Sequence, residues 1–140
     1  MKHIPMNSFL RGALGVDAVA SGAMGIALSA APGLLARVLG LPETPLYYVG
    51  VFLIAYAMFV AWTALRSRPE SLLVWAIIVG NAIWVIDSLL LIASGWVGPT
   101  LLGYAFVIAQ ALAVGVFAEL QLIGVRKAAP MAMATIQELP

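Results

Sequence analysis

The chain has 140 residues, of which 64% are hydrophobic and only 9% charged, and its mean hydropathy is +1.07. A soluble domain carries about 25% charged residues because its surface faces water, so the composition excludes a water-covered globule and points to one lipid-facing domain. A net charge of +1 leaves no clustered basic face of the kind that nucleic acid requires.

Four apolar segments match the roughly 20 residues of a helical membrane span. The first covers about 8–31. It begins after Lys2 and ends on Ser29-Ala30-Ala31, a faint leader-like pattern. Arg11 and Asp17 interrupt the run, and a signal's apolar core would not carry them, so it is read as a span. A small-residue stripe runs along it (Gly15, Ala18, Gly22, Gly25, Ser29), which permits close approach by another span or another subunit.

The segment 34–41 lies between Pro32 and Pro42 and is apolar around Arg37, so a short helix lying at the membrane interface is expected. Span two covers about 46–65 and span three about 71–94, split by Arg66-Ser67-Arg68-Pro69-Glu70. Span four covers about 100–124, after Gly95-Trp96-Val97-Gly98-Pro99. Proline cannot continue a helix and pushes the preceding residue out of the α region. Both connections are short, which makes the helices they join antiparallel neighbours. Residues 1–127 thus form a single transmembrane domain. The tail 128–140 has no clear period and is expected either to be disordered or to dock as a short amphipathic piece.

Charge sets the expected orientation. With four spans, both termini and the middle connection share one side, which holds Lys2, Arg11, Arg66, Arg68, Arg126 and Lys127; the other side holds only Arg37. Cytoplasmic loops carry the Lys and Arg excess, so both termini are expected in the cytoplasm. Phe9, Tyr47, Tyr48, Trp62, Trp75, Trp96 and Tyr104 fall near span ends, where amphipathic rings anchor. The fold class expected is an all-α integral membrane protein, a four-helix antiparallel bundle, in the bacterial inner (plasma) membrane.

Depth along each span can be counted at about 1.5 Å per residue. Asp17, Tyr56, Asn81 and Gln110 each lie nine or ten residues into spans one to four. Each is thus roughly 13–15 Å from its end of a ~30 Å hydrocarbon core, so all four spans place a polar group near one midplane. An ionised Asp near the bilayer centre costs about 2.5–3.5 kcal/mol on insertion scales and usually faces the interior or a water-filled cavity. Asn, Gln and Tyr could satisfy it in one network.

The competing reading is that polar side chains merely bind helices together, at about 0.6 kcal/mol each on average. That reading suits Asn81 and Gln110, and Tyr56 can be an ordinary packed aromatic. A carboxyl group is a costly way to do the same work. An Asp17 facing a cavity would favour transport or catalysis; an Asp17 sealed in a hydrogen-bonded helix contact would make the layer structural.

Other polar groups have local readings. Arg11 and Glu119 reach a similar level near the cytoplasmic surface and are ion-pair candidates, unless each snorkels. Asp87 lies about 24 Å from the inner end of span three and has too short a side chain to snorkel easily. Trp84 shares a helix face with Asn81 and Ser88, either as pocket lining or as core packing. Asp17, Tyr56, Asn81, Trp84, Asp87 and Gln110 are therefore the ligand-binding candidates.

The absences narrow the chemistry. The chain has no cysteine, which removes disulfides, thiolate catalysis, thiolate zinc and cysteine-ligated iron–sulfur clusters. The one histidine, His3, precedes span one, so bis-histidine haem ligation within one chain is excluded and the side chain is read as solvated. Oxygen ligands from Asp17, Asn81 and Gln110 would suit a hard cation better than a transition metal, though no metal site is expected. A retinoid, quinone or carotenoid held by packing alone would leave no sequence trace, so the cofactor stays open. Walker-type, dinucleotide, His-Glu-x-x-His and nucleophile-elbow patterns are all missing.

In size and in its pattern of four spans the chain resembles the small four-helix inner-membrane proteins of bacteria such as the DoxX-like group. The likeness rests on the span pattern rather than a motif, and carries over no functional residue.

Three functions are expected. The first is a non-enzymatic membrane protein, a homo-oligomer or a subunit of a membrane complex, whose polar layer binds a small ligand and whose partners are lipid and other membrane chains. The second is a small proton- or cation-coupled transporter using Asp17, with the site shared in a dimer. The third is an intramembrane, isomerase-like enzyme acting on a lipid-like substrate. Asp17 would then be general base, with Tyr56, Asn81 or Gln110 donating to an oxyanion.

Overall fold

Helix boundaries follow local signals in the sequence. Asn7 caps α1 (Ser8–Ala30): its side-chain oxygen accepts from Leu10 N at 2.7 Å, satisfying one of the first-turn donors that have no intrahelical partner. Pro32 occupies the first turn of α2 (Pro32–Leu39), where its missing N–H costs nothing. Gly40 ends that helix at φ 66, a left-handed conformation that glycine adopts without strain. The helices α3 (Glu43–Leu65), α4 (Ser71–Ser94) and α5 (Leu101–Gln137) complete the chain.

The computed structural model describes residues 2–137, except for the side chains of Ala132 and Thr135. Among these residues the fold is all-helical, with a single isolated bridge between His3 and Glu70. Four helices are long and apolar enough to cross a membrane: α1, α3, α4 and the Leu101–Met131 part of α5.

The expected short helix between spans one and two is α2. The segment after Lys127 is helical: α5 runs on to Gln137, with Pro130 inside it, and its described side chains beyond Ala128 are exposed. The Ala and Met residues there are good helix formers, and buried Ala128 joins the same apolar cluster as Ile4. The last residues of the expected tail, 138–140, lie outside the described residues.

The helices pack unevenly. The closest pair is α1 with α3; α4 packs on α5, and α5 on α1, whereas α3 and α4 barely meet. The α1–α3 contact uses the small-residue stripe. A Cβ placed on Gly25 would lie 2.8 Å from the Gly50 carbonyl oxygen, and one on Gly50 would lie 2.6 Å from the Ser29 nitrogen. Gly22 faces Ala57 across the same seam. The stripe's partner is therefore another helix of the same chain, brought to backbone contact by the missing side chains.

Two ends can be distinguished. At the base, the N-terminal segment pairs with the connection between α3 and α4, through Ile4 N to Pro69 O and Met6 N to Ser67 O, both 3.0 Å. His3 Nδ1 lies 3.2 Å from Arg68 O. Asn7 donates to Gly124 O at 2.9 Å, which ties the start of α1 to α5. Arg66 lies over the Trp62 ring and Lys127 over Phe9, at 3.8 and 4.2 Å, distances at which cations are attracted to aromatic faces. At the top, Thr100 donates through its hydroxyl to Val38 O and through its backbone to Leu39 O, so α2 caps the start of α5.

One apolar cluster fills the base (Leu10, Leu14, Val60, Val74, Ile77 among others) and a second the top (Leu28, Leu39, Leu46, Leu53, Val107). The outward faces are also apolar: Val19 is 74% exposed, Leu72 71% and Leu112 67%. Contiguous exposed apolar surface of this extent is foreign to soluble monomers.

Candidate functional site

Between the two apolar clusters, four helices converge on one carboxyl group. Asp17 of α1 is fully buried. Its Oδ1 accepts from the Ser21 hydroxyl at 3.0 Å, one turn along α1. Its Oδ2 accepts from Asn81 Nδ2 of α4 at 2.8 Å and from Gln121 Nε2 of α5 at 2.7 Å. The Tyr56 hydroxyl of α3 lies 3.1 Å from Oδ2 and 2.8 Å from Asn81 Oδ1, and shares its one hydrogen between them. Asn81 Nδ2 also donates to Gln121 Oε1 at 3.1 Å.

Ser21, Asn81 and Gln121 are buried as well. Among the described residues no buried side-chain polar atom lacks a partner. A buried polar network in which every member is satisfied fixes the helices that contribute to it. Oδ2, with three donors on it, is fully committed to the protein, and Oδ1 is committed to Ser21.

Sequence depth thus brings Asp17, Tyr56 and Asn81 together, but not Gln110. Counted from opposite ends, Gln110 of α5 falls on the top side of Asp17. There it forms a second network. Trp84 Nε1 donates to Gln110 Oε1 at 2.7 Å, and Gln110 Nε2 donates to Ser88 Oγ at 3.0 Å and to Val107 O at 3.1 Å. Ser88 in turn donates to Trp84 O at 2.7 Å.

The α5 member of the Asp17 cluster is Gln121, which span counting leaves near the base. Helical side chains lean toward the helix N-terminus, so Gln121 reaches up from a lower turn toward Asp17. A signal for it is present: Gln110 and Gln121 are eleven residues apart, which is about three turns and puts them on one face. Ser21 carries a similar signal, four residues after Asp17.

The Arg11–Glu119 ion pair is not formed. Arg11 Nε donates instead to the Ala64 carbonyl of α3 at 3.1 Å. Glu119 is two residues from inward-facing Gln121, roughly 200° around the helix, and so is exposed on the far side. It borders a shallow apolar groove lined by Val85, Leu89, Leu112 and Gly115, where α4 meets α5. Counting depth gives height but not direction.

Because α3 and α4 diverge above the Tyr56–Asn81 contact, a cavity of about 710 Å³ opens between the helix pairs in the upper half. Its wall comes from α1 (Ser21, Met24, Leu28), α3 (Leu46, Val49, Leu53), α4 (Trp84, Asp87, Ser88, Leu91) and α5 (Phe106, Val107, Gln110, Ala113, Phe117). Trp96, Leu41 and Pro42 contribute from the connecting segments at the top. From Phe106 to Phe117, the stretch of α5 that lines it, is a rise of about 17 Å, so the space is elongated along the helices. Ser21 belongs both to the cavity wall and to the Asp17 cluster, which therefore lies beneath the floor. Asp87 is exposed and has no hydrogen-bond or ion-pair partner among the described residues.

Among the described residues no group of three or more His, Cys, Asp or Glu side chains is placed to hold a metal ion. No family model, no curated protein and no solved structure matches this chain.

Proposed function

We propose that this is an integral membrane protein, a four-helix antiparallel bundle with both termini in the cytoplasm, that binds an elongated, largely apolar small molecule between its helix pairs. Support for the membrane comes from the four apolar helices and their exposed Val and Leu faces. Support for the orientation is the charge distribution. Lys2, Arg11, Arg66, Arg68, Arg126 and Lys127 belong to the base, against Arg37 at the top, which makes the base cytoplasmic in a bacterial inner membrane. Exposed Leu34 and Val38 beside Arg37 suit α2 to the interface on the opposite side.

The observation that carries the binding function is the 710 Å³ cavity. Its volume lies within the roughly 300–1,000 Å³ of small-molecule sites, and it shares their mix of apolar walls and a few fixed polar groups. The Asp17 cluster is its structural floor. A carboxyl group that accepts from three other helices holds the cavity's walls in register, which supports a structural role for it over the proton- or cation-coupled transport or the isomerase-like catalysis that its depth suggests.

Native mass spectrometry of the purified protein tests the function: the expected spectrum shows one retained small molecule per chain. Ala113→Trp, which fills the cavity without touching the Asp17 cluster, should lose that mass while keeping the helical signal. Retention of the same mass by the variant would place the ligand elsewhere.

Self-association through the α4–α5 groove is a second reading, favoured by Glu119, which lies exposed among apolar side chains. A second copy covering the groove would remove an acidic group from lipid contact. Crosslinking in native membranes tests it: Glu119→Leu should alter the dimer yield, and an unchanged yield would set the groove aside.

A further inference from the structure

The polar groups of the cavity are unequal, and the inequality bears on the ligand's head group. The Trp84 indole, both hydrogens of the Gln110 amide and the hydroxyls of Ser88 and Ser21 are spent on bonds within the protein. Of the side-chain donors lining the cavity only the Trp96 indole, 89% exposed at the rim, has no partner among the described residues. Against this stands Asp87, an acidic side chain that accepts from nothing among the described residues. The cavity therefore offers one unused acid and, below the rim, no unused donor. An anionic head would find no donor below the rim and would meet Asp87. A positively charged nitrogen would find an acid and, in Trp84, Trp96 and Phe106, aromatic faces lining the same space.

From this geometry we infer that the ligand is a long-chain amphiphile with a cationic nitrogen head, its chain along the apolar wall and its head at Asp87. The inference rests on the cavity being the binding site. Asp87 lies seven residues before the end of α4, about 10 Å below the top, so the head sits near the rim and the chain extends downward toward Phe117. Two sources present this chemistry: a free alkylamine or quaternary ammonium ion, and a phospholipid whose head carries an amine.

The test uses full-length protein in maltoside micelles with Trp62→Phe and Trp75→Phe, which confines emission to Trp84 and Trp96. Two probes brominated beside the head, 3-bromoundecyl trimethylammonium and 3-bromoundecanol, quench these indoles on contact. The ammonium probe should bind about tenfold tighter than the alcohol. Asp87→Asn should abolish that preference while leaving the alcohol's affinity unchanged, and Asp87→Glu should keep it. Lysophosphatidylethanolamine and lysophosphatidylglycerol, added as competitors, separate the sources. Displacement by the ethanolamine lipid alone assigns a membrane lipid, and displacement by neither assigns a free cation. Equal affinity of the two probes, or a preference that survives Asp87→Asn, overturns the head-group inference while the cavity remains a binding site. Quenching by neither probe overturns the cavity reading itself.

Discussion

Replacing Asp17 with Ala tests the structural role given to the polar cluster. The substitution strands three buried hydrogens: that of the Ser21 hydroxyl, one on Asn81 Nδ2 and one on Gln121 Nε2. Tyr56 is not stranded, because Asn81 Oδ1 still accepts from it at 2.8 Å. The bonds lost between helices, those of Tyr56, Asn81 and Gln121 to Asp17, at about 0.6 kcal/mol each give about 2 kcal/mol. A buried donor left unsatisfied costs about 1–3 kcal/mol in protein interiors, so with partial relaxation the expected loss is about 2–4 kcal/mol. Unfolding by SDS from mixed micelles, followed by far-ultraviolet circular dichroism, measures it. The comparison is Asp87→Ala, which removes an acid with no partner and should stay within about 0.5 kcal/mol of wild type. An Asp17→Ala protein as stable as wild type would refute the reasoning, because the cluster would then hold nothing together.

Gln121→Leu should destabilise the fold more than Gln110→Leu in the same assay. The first takes a donor from Asp17 and an acceptor from Asn81 at the centre of all four long helices, whereas the second releases only Trp84 and Ser88 beside the cavity. Gly50→Ala should force α1 and α3 apart and cost about 1–3 kcal/mol, since its Cβ would lie 2.6 Å from Ser29 N. Gly80→Ala, with nothing within 4 Å, should gain about 0.5–1 kcal/mol from helix propensity alone. Orientation can be read by adding single cysteines to this cysteine-free chain. In intact cells, Ser67→Cys at the base should resist an impermeant maleimide and Gly98→Cys at the top should react; the reverse labelling would invert the proposed topology.

Much of the architecture was legible because its determinants are local. Span length follows from apolar runs, and α2 from the Pro32 and Gly40 that bracket it. Asp17, Tyr56 and Asn81 could be grouped because helical rise converts residue number into height. The misplacements share one cause. Height along a helix says nothing about direction around it, so depth alone groups Gln110 with Asp17 although it pairs with Trp84, and Glu119 with Arg11 although it faces away. The eleven-residue spacing of Gln110 and Gln121 held the missing angular information. The cavity itself was not legible, although three of its lining residues, Trp84, Asp87 and Gln110, are binding candidates on sequence alone. It arises from the divergence of α3 and α4, a property of helix packing that no single segment encodes.

A crystal structure of the protein grown from a lipidic mesophase would test the central claim most directly. Elongated density along Leu28, Val107 and Phe117, with a hydrogen-bonded and water-free Asp17 beneath it, is the expected result. A column of water reaching Asp17, or α3 and α4 closed together with no space between them, would contradict it.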